Sequence, residues 1–304
     1  MLSSDKITEI FFVIDEFSKN FDQVISSHGI SSDNSVKRRN RKSNLSDSEV
    51  MTILVLFHFG GFKNLKHFYL FYVQKHMTNE FPNTVSYNRF VELQKKVIVP
   101  LALFLKTCAL VKCTGISFID STPLRSCHIK REKQHKTMKD IAQKGQCSLG
   151  WFYGFKLHLI INDKGEILDF LITPGNVDDR KPLESMGLHK NIFGKLFGDK
   201  GYISKNLFEK LFVDGVHLIT KIKKNMKNCL MLMQDKIALR KRALIETVND
   251  ELKNMCQIEH TRHRSFDNFI TSLLSGLIAY SFFPKKPSIN LNNEIVDTMR
   301  LAAA

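Results

Sequence analysis

Hydrophobic and polar positions change rhythm near residue 115. Before it the apolar residues fall at helical spacing. Ser46-Asp47-Ser48-Glu49 directly precedes Val50, Met51, Ile53, Leu54, Leu56 and Phe57. A hydroxyl at the cap and a glutamate three residues on satisfy the free amides of a first turn, so a helix is predicted to start there. Pro82-Asn83-Thr84-Val85-Ser86 reads as a loop, with Tyr87 to Lys96 as the second helix of a candidate helix-turn-helix. After residue 115 the chain alternates. Ile116 to Ile119 is a short apolar run, and Trp151 to Ile161 puts Tyr153, Phe155, Leu157, Leu159 and Ile161 on one side with Lys156 and His158 on the other. Asn162-Asp163-Lys164-Gly165 is turn chemistry, and Glu166 to Thr173 returns as the partner strand. Further elements are a helix over Asp178 to His189, a strand over Leu196 to Asp199, a Ser-capped helix over Ser204 to Phe212 and a strand over Val216 to Ile222. One long helix is expected from about Asp235 to Met255.

Three strands, helix, strand, helix, strand, helix is the element order of the ribonuclease H fold, whose first and fourth strands lie side by side at the sheet centre. The expected class is therefore α/β, a ribonuclease H-like mixed sheet with flanking helices, preceded by an all-α N-terminal region. The expected division is 1–105 helical and DNA-binding, 106–290 catalytic, and 291–304 a C-terminal tail.

The chain has 304 residues, of which 43% are hydrophobic, enough for real cores. Its 45 Lys and Arg against 30 acids give a net charge of +15. That points to a polyanionic partner, with nucleic acid first. The acids among the first residues (Asp5, Glu9, Asp15, Glu16) are unlike a signal peptide, and the apolar stretch Leu273 to Phe283 is too short to span a bilayer. The expectation is a cytoplasmic protein with no membrane partner. Six cysteines contain no C-x-x-C pair, and Cys127, His128, His135 and Cys147 match no usual zinc spacing.

Candidate chemistry lies in three acids. Asp120 ends the run Ile116-Ser117-Phe118-Ile119, and Asp199 ends Leu196-Phe197-Gly198. Glu246 sits on a helical stripe with Arg242, Asn249 and Lys253, opposite an apolar stripe of Ile237, Leu244, Val248, Leu252 and Met255. Singly, each has an ordinary explanation as a strand-ending turn acid or a surface ion pair. Together, they fall at the ends of the two strands this topology makes neighbours and on the helix that follows. Carboxylates from separate elements suit hard divalent cations, and two such cations serve phosphodiester cleavage.

Basic clusters flank these acids. Lys37, Arg38, Arg39, Arg41 and Lys42 read as a phosphate-gripping arm or loop ahead of the capped helix, with a solvated linker as the plain alternative. Arg125, Lys130 and Arg131, with Lys133, Lys136, Lys139 and Lys144, follow Asp120 in what reads as a loop. Lys221, Lys223, Lys224 and Lys227 precede the Glu246 helix. Lys156 and His158 share one strand face and are candidate DNA contacts.

The strand ending Phe118-Ile119-Asp120-Ser121-Thr122, the strand Tyr153-Gly154-Phe155-Lys156-Leu157-His158, the turn Gly198-Asp199-Lys200-Gly201-Tyr202 and the R-x3-E-x6-K helix together resemble bacterial insertion-sequence DDE transposases. The resemblance covers roughly residues 115 to 285. The family's fuller signature carries a Tyr three residues before the Arg, where this chain has Leu239. The resemblance implies two Mg2+ ions, replaceable by Mn2+, held by Asp120, Asp199 and Glu246, with Arg242 and Lys253 gripping DNA near the cut. It further implies double-stranded DNA as partner, recognition of terminal inverted repeats, and a homo-oligomer assembled on DNA. A metal-dependent nuclease or resolvase on the same fold would use the same acids and stop at hydrolysis, and a non-catalytic decayed copy would keep only DNA binding by its basic surface.

Overall fold

The computed structural model describes residues 2–27, 43–222, 230–259 and 263–289. The helices are α1 (Ser4–Ser27), α2 (Asp47–Phe59), α3 (Leu65–His67), α4 (Gln74–His76), α5 (Tyr87–Gln94), α6 (Ile98–Phe104), α7 (Lys181–Glu184), α8 (Lys205–Val213), α9 (Met233–Arg240), α10 (Ala243–Asn254) and α11 (Phe266–Ser281). The strands are β1 (Ile116–Cys127), β2 (Gln143–Cys147), β3 (Gly150–Asn162), β4 (Ile167–Pro174), β5 (Gly194–Gly198) and β6 (Val216–Thr220). The chain forms two compact units, residues 1–109 with 252–283 and residues 110–251 with 284–304.

The first unit is helical. Ser46 caps α2 with the reciprocal hydrogen bonds of a capping box, its hydroxyl accepting from the Glu49 amide at 3.1 Å and its own amide donating to the Glu49 carboxylate at 2.7 Å. From Val50 to His58 every residue of α2 is buried, as expected of a helix surrounded by others rather than lying on a surface. α11 is the partner helix of α2, buried from Thr271 to Tyr280. The linear division of the chain placed α11 in the second region. It groups with the N-terminal helices because a helix apolar on all sides must be enclosed, and α2 and α6 enclose it. His58, at the centre, donates from Nδ1 to the Cys256 carbonyl at 2.5 Å, and its Nε2 accepts from Ser272 at 3.2 Å. Burial holds this imidazole down to about 4, so it is neutral.

The second unit is a mixed six-stranded sheet in the order β2-β3-β1-β5-β6, with β4 also on β3. β3 pairs antiparallel with β1 along one edge, and β2 and β4 share its other edge in succession. β5 runs parallel to both β1 and β6. Neighbouring β1 and β5 are thus parallel, as the element order required. Because β3 is an interior strand covered on both faces, its side expected to carry polar contacts is buried as well.

Four elements differ from the sequence expectation. β1 continues through Asp120 to Cys127, because pairing with β3 persists that far. The basic segment after it is not one open loop: it holds a 3-10 helix, Ile129–Gln134, and the edge strand β2. The expected helix from Asp178 to His189 shortens to α7, since Gly187 takes a positive φ of 73° there. The long helix breaks at Lys241–Arg242 into α9 and α10, where the amides of Leu244 and Ile245 bond back only three residues, at 2.9 and 3.1 Å. On α10 it is Leu244, Ile245, Val248 and Leu252 that are buried, while Met255 beyond it is exposed.

Among the described residues, no helix is long and apolar enough to cross a membrane. Cys108, Cys113, Cys127, Cys147 and Cys256 are free thiols.

Candidate active site

Two parallel strands deliver the first two acids to one end of the sheet. Phe118 of β1 is in register with Phe197 of β5, and their rings stack at 5.5 Å between centroids. Two residues further along the chain stand Asp120, still within β1, and Asp199, just past the end of β5. Since side chains alternate along a strand, Asp120 leaves β1 on the face that Phe118 marks. β5 ends at Gly198. Beyond Phe118, β1 therefore has β3 on one side and no β5 on the other, with Asp120 opposite Leu159 of β3. Asp199 caps the 3-10 turn Lys200–Tyr202 and accepts from the Gly201 amide at 2.8 Å. A side chain at 201 would stand 3.0 Å from that carboxylate, which explains the glycine.

α10 contributes the third acid and two groups that handle the first. Glu246 accepts from Arg242 at 2.6 Å, and the same guanidinium stands 3.6 Å from Asp120. Asn249 donates to the other Asp120 oxygen at 3.2 Å. The break between α9 and α10 sets Arg242 at the head of the new helix, one turn from Glu246 and two from Asn249. Leu239, at the position where the family signature has Tyr, is buried on α9.

Electrostatics tie the acids together. Asp120 is pushed up to about 7, chiefly by burial. Arg242 and the Ser121 amide oppose the rise, and the negative charges of Asp199 and Glu246 add to it. Tyr202 is raised well above its usual value by burial and then by the fields of Asp120, Asp179 and Asp199. Its hydroxyl and the Asn249 amide oxygen are buried without hydrogen-bond partners.

This set suits a hard divalent cation. Its donors are oxygens only, an uncommitted amide oxygen lies beside Asp120, and the upward shift of the Asp120 carboxyl is what a cation would relieve. As the side chains lie, no group of three His, Cys, Asp or Glu among the described residues stands close enough to hold an ion. Arg242 bridges Asp120 and Glu246 instead.

The other sequence candidates fall in different places. Arg125, Lys130 and Arg131 are exposed, as are Lys133, Lys136, Lys139 and Lys144, so the segment after Asp120 presents a cationic surface. Lys37, Arg38, Arg39, Arg41 and Lys42 lie outside the described residues, as do Lys223, Lys224 and Lys227. Lys253 pairs with Glu259 at 3.2 Å. His158 is fully buried and bonded to Thr173 at 2.8 Å, and burial holds it near 4. It is a neutral core histidine, which corrects its expected role as a DNA contact. Lys156 bonds the Val177 carbonyl at 2.9 Å and Asp179 at 2.8 Å, so its charge is used inside the unit. Sequence reasoning missed Asn249 as a partner of Asp120. The signal for Asn249 was its place one turn beyond Glu246 on the same stripe.

Residues 110–266, just over half the chain, match the family model described as "Transposase DDE domain". No curated protein matches. Among solved structures, a cryo-EM structure of a piggyBac transposase synaptic complex with hairpin DNA aligns at 13% identity and a TM-score of 0.49, over 90% of this chain and 72% of that one. The matched segment contains Asp120, Asp199 and Glu246, and on it the chain belongs to the transposase DDE domain family.

Proposed function

We propose that this chain is the transposase of a bacterial insertion sequence, acting in the cytoplasm on the inverted repeats that end its own element. The observation that supports it most is the delivery of Asp120 from within β1 and Asp199 from just past the end of the neighbouring parallel β5, with Arg242 linking Asp120 to Glu246 of α10. In this reading the sheet is ribonuclease H-like, and Asp120, Asp199 and Glu246 hold two Mg2+ ions, or Mn2+. When bound, such cations activate the attacking oxygen and stabilise the leaving one.

The chain's own residues prepare that chemistry. Asn249 and the Ser121 amide hold the Asp120 carboxylate in place. Arg242 offsets part of the negative charge of Asp120 and Glu246, and its guanidinium would be available to a phosphate of the strand being cut if cations took over those carboxylates. The exposed cations from Arg125 to Lys144 neutralise phosphates along the flank, and the basic run Lys37 to Lys42 grips the duplex. In the first reaction water forms a bond to phosphorus as the P–O3' bond breaks, leaving a 3'-hydroxyl at the element end. In the second that hydroxyl attacks a target phosphodiester and displaces a target 3'-hydroxyl, so the number of phosphodiesters is conserved. Joining two ends requires a homo-oligomer on DNA.

Purified protein incubated with DNA spanning the gene's flanks, with Mg2+ or chelator, tests this. Wild type should cut at repeat ends and join them to target, and Asp199→Asn should do neither while still binding. Cleavage without joined products would instead identify a nuclease, and metal-dependent cutting by Asp199→Asn would remove the assigned triad.

A further inference from the structure

The helical unit contains a cavity of about 640 Å³ that lies outside the carboxylate site. α2, α3, α5, α11 and the segments preceding α3 and α11 line it. Its size is within the roughly 300–1,000 Å³ usual for small-molecule sites and is more than a lone anion needs. The lining charges have one sign: Lys63, Lys66 and Arg264 are present, and no Asp or Glu. His58 and His263 also line it, both held near 4 by burial, so the positive charge comes from the Lys and Arg residues alone.

Deeper in, the lining is polar and uncommitted. Gln94 is 3% exposed, yet its amide nitrogen has no hydrogen-bond partner. The Asn268 amide oxygen and His263 Nε2 are likewise buried and unpaired. Buried polar atoms are almost always satisfied in folded proteins, so a donor and an acceptor left unpaired on residues that line one cavity suit a ligand carrying both. Tyr87 adds a half-buried ring with the Lys66 ammonium 6.0 Å from its centroid, and the Arg264 charge acts on its phenol. Cations beside an aromatic ring, with amides that read a mixed donor and acceptor edge, are what unstacked nucleotides bind.

We propose that this cavity is a nucleotide site, taking one unstacked deoxynucleotide with its phosphate at Lys63, Lys66 and Arg264 and its base among Tyr87, Gln94 and Asn268. The nucleotide comes either from solution or from a DNA strand with one base out of the stack. Neither source involves the carboxylates, so the site stands or falls apart from the cleavage reading.

The test uses the full chain in chelator, so that no metal enters. Three probes carry 2-aminopurine: the free deoxynucleoside monophosphate, a duplex with one unpaired 2-aminopurine, and the same duplex fully paired. The expected result is a fluorescence change with the free nucleotide or the unpaired duplex. Lys66→Gln/Arg264→Gln, at two exposed positions, should weaken that binding about tenfold or more and lower the salt slope by roughly one to two units if the source is DNA. Gln94→Leu should weaken it about tenfold while leaving the melting temperature unchanged or raised, because a buried unpaired amide is removed. A residue with only a structural role would not separate the two. A response to the free nucleotide alone, or to the unpaired duplex alone, supports the site and names its source. No response from any probe, equal binding of both duplexes unaffected by the variants, or displacement by equimolar inorganic phosphate would each overturn it.

Discussion

Replacing Asp120 by Asn should stabilise the metal-free protein, and increasingly so as pH rises. In the folded chain the Asp120 carboxyl is pushed up from 3.8 to about 7. Between those values the folded chain holds a proton that the unfolded chain has lost, so stability falls as pH rises through the window and the loss is complete above it. A rise of about three units at about 1.4 kcal/mol each sets a ceiling of about 4 kcal/mol above pH 7. That figure already includes the opposing attraction of Arg242, 3.6 Å away. Asn stands in for the protonated acid and its carbonyl can still accept from Asn249, so the variant escapes the loss. The assay is urea unfolding in chelator from pH 4 to pH 8, followed by Trp151, the chain's single tryptophan, on β3 of the same unit. Groups remote from Asp120 titrate alike in both proteins, so the difference reports Asp120 together with the neighbouring charges that feel it. It should be near zero at pH 4 and exceed about 1 kcal/mol at pH 8. A difference that stays flat with pH, or a wild type that is the more stable at pH 8, would refute the argument that burial dominates this carboxylate.

Adding Mn2+ should raise the melting temperature of wild type but not of Asp120→Asn, with about 2.7 kcal/mol gained at a hundredfold excess over the dissociation constant; equal shifts in a thermal melt would place the ion elsewhere. Tyr202→Phe removes a buried hydroxyl with no partner and should be neutral or stabilising by about 1 kcal/mol in urea unfolding, whereas a clear loss would mean that the hydroxyl is bonded. Ser46→Ala should cost about 1 kcal/mol by loss of the α2 cap, with Ser46→Gly milder, both read by urea unfolding. Gly154→Ala should destabilise by more than about 2 kcal/mol, because a Cβ there would overlap the Leu124 carbonyl oxygen across the β1–β3 pair; an unchanged denaturation midpoint would show that the strands can part.

Features under local control were legible in the residues alone. The capping box marked the start of α2 to the residue, alternation and turn residues marked the β3–β4 hairpin, and Asp120 and Asp199 stood out as acids closing apolar runs. Tertiary contacts decided the rest. Pairing with β3 carries β1 past Asp120, which no apolar run announces, because hydrogen bonds to a neighbouring strand extend a strand regardless of side-chain type. Burial on both sheet faces turned His158 and Lys156 from apparent surface groups into internal ones, since alternation identifies two faces and not whether both are covered. Helix periodicity continued through Lys241–Arg242, yet the chain breaks there, with Arg242 placed against Asp120. The association of α11 with α2 was likewise invisible, because an apolar helix signals that it must be enclosed without naming the partner that encloses it. Sequence could therefore nominate the three acids. Only the assembled sheet and α10 decide that Arg242 and Asn249 reach Asp120, and that burial with neighbouring negative charge lifts its carboxyl to about 7.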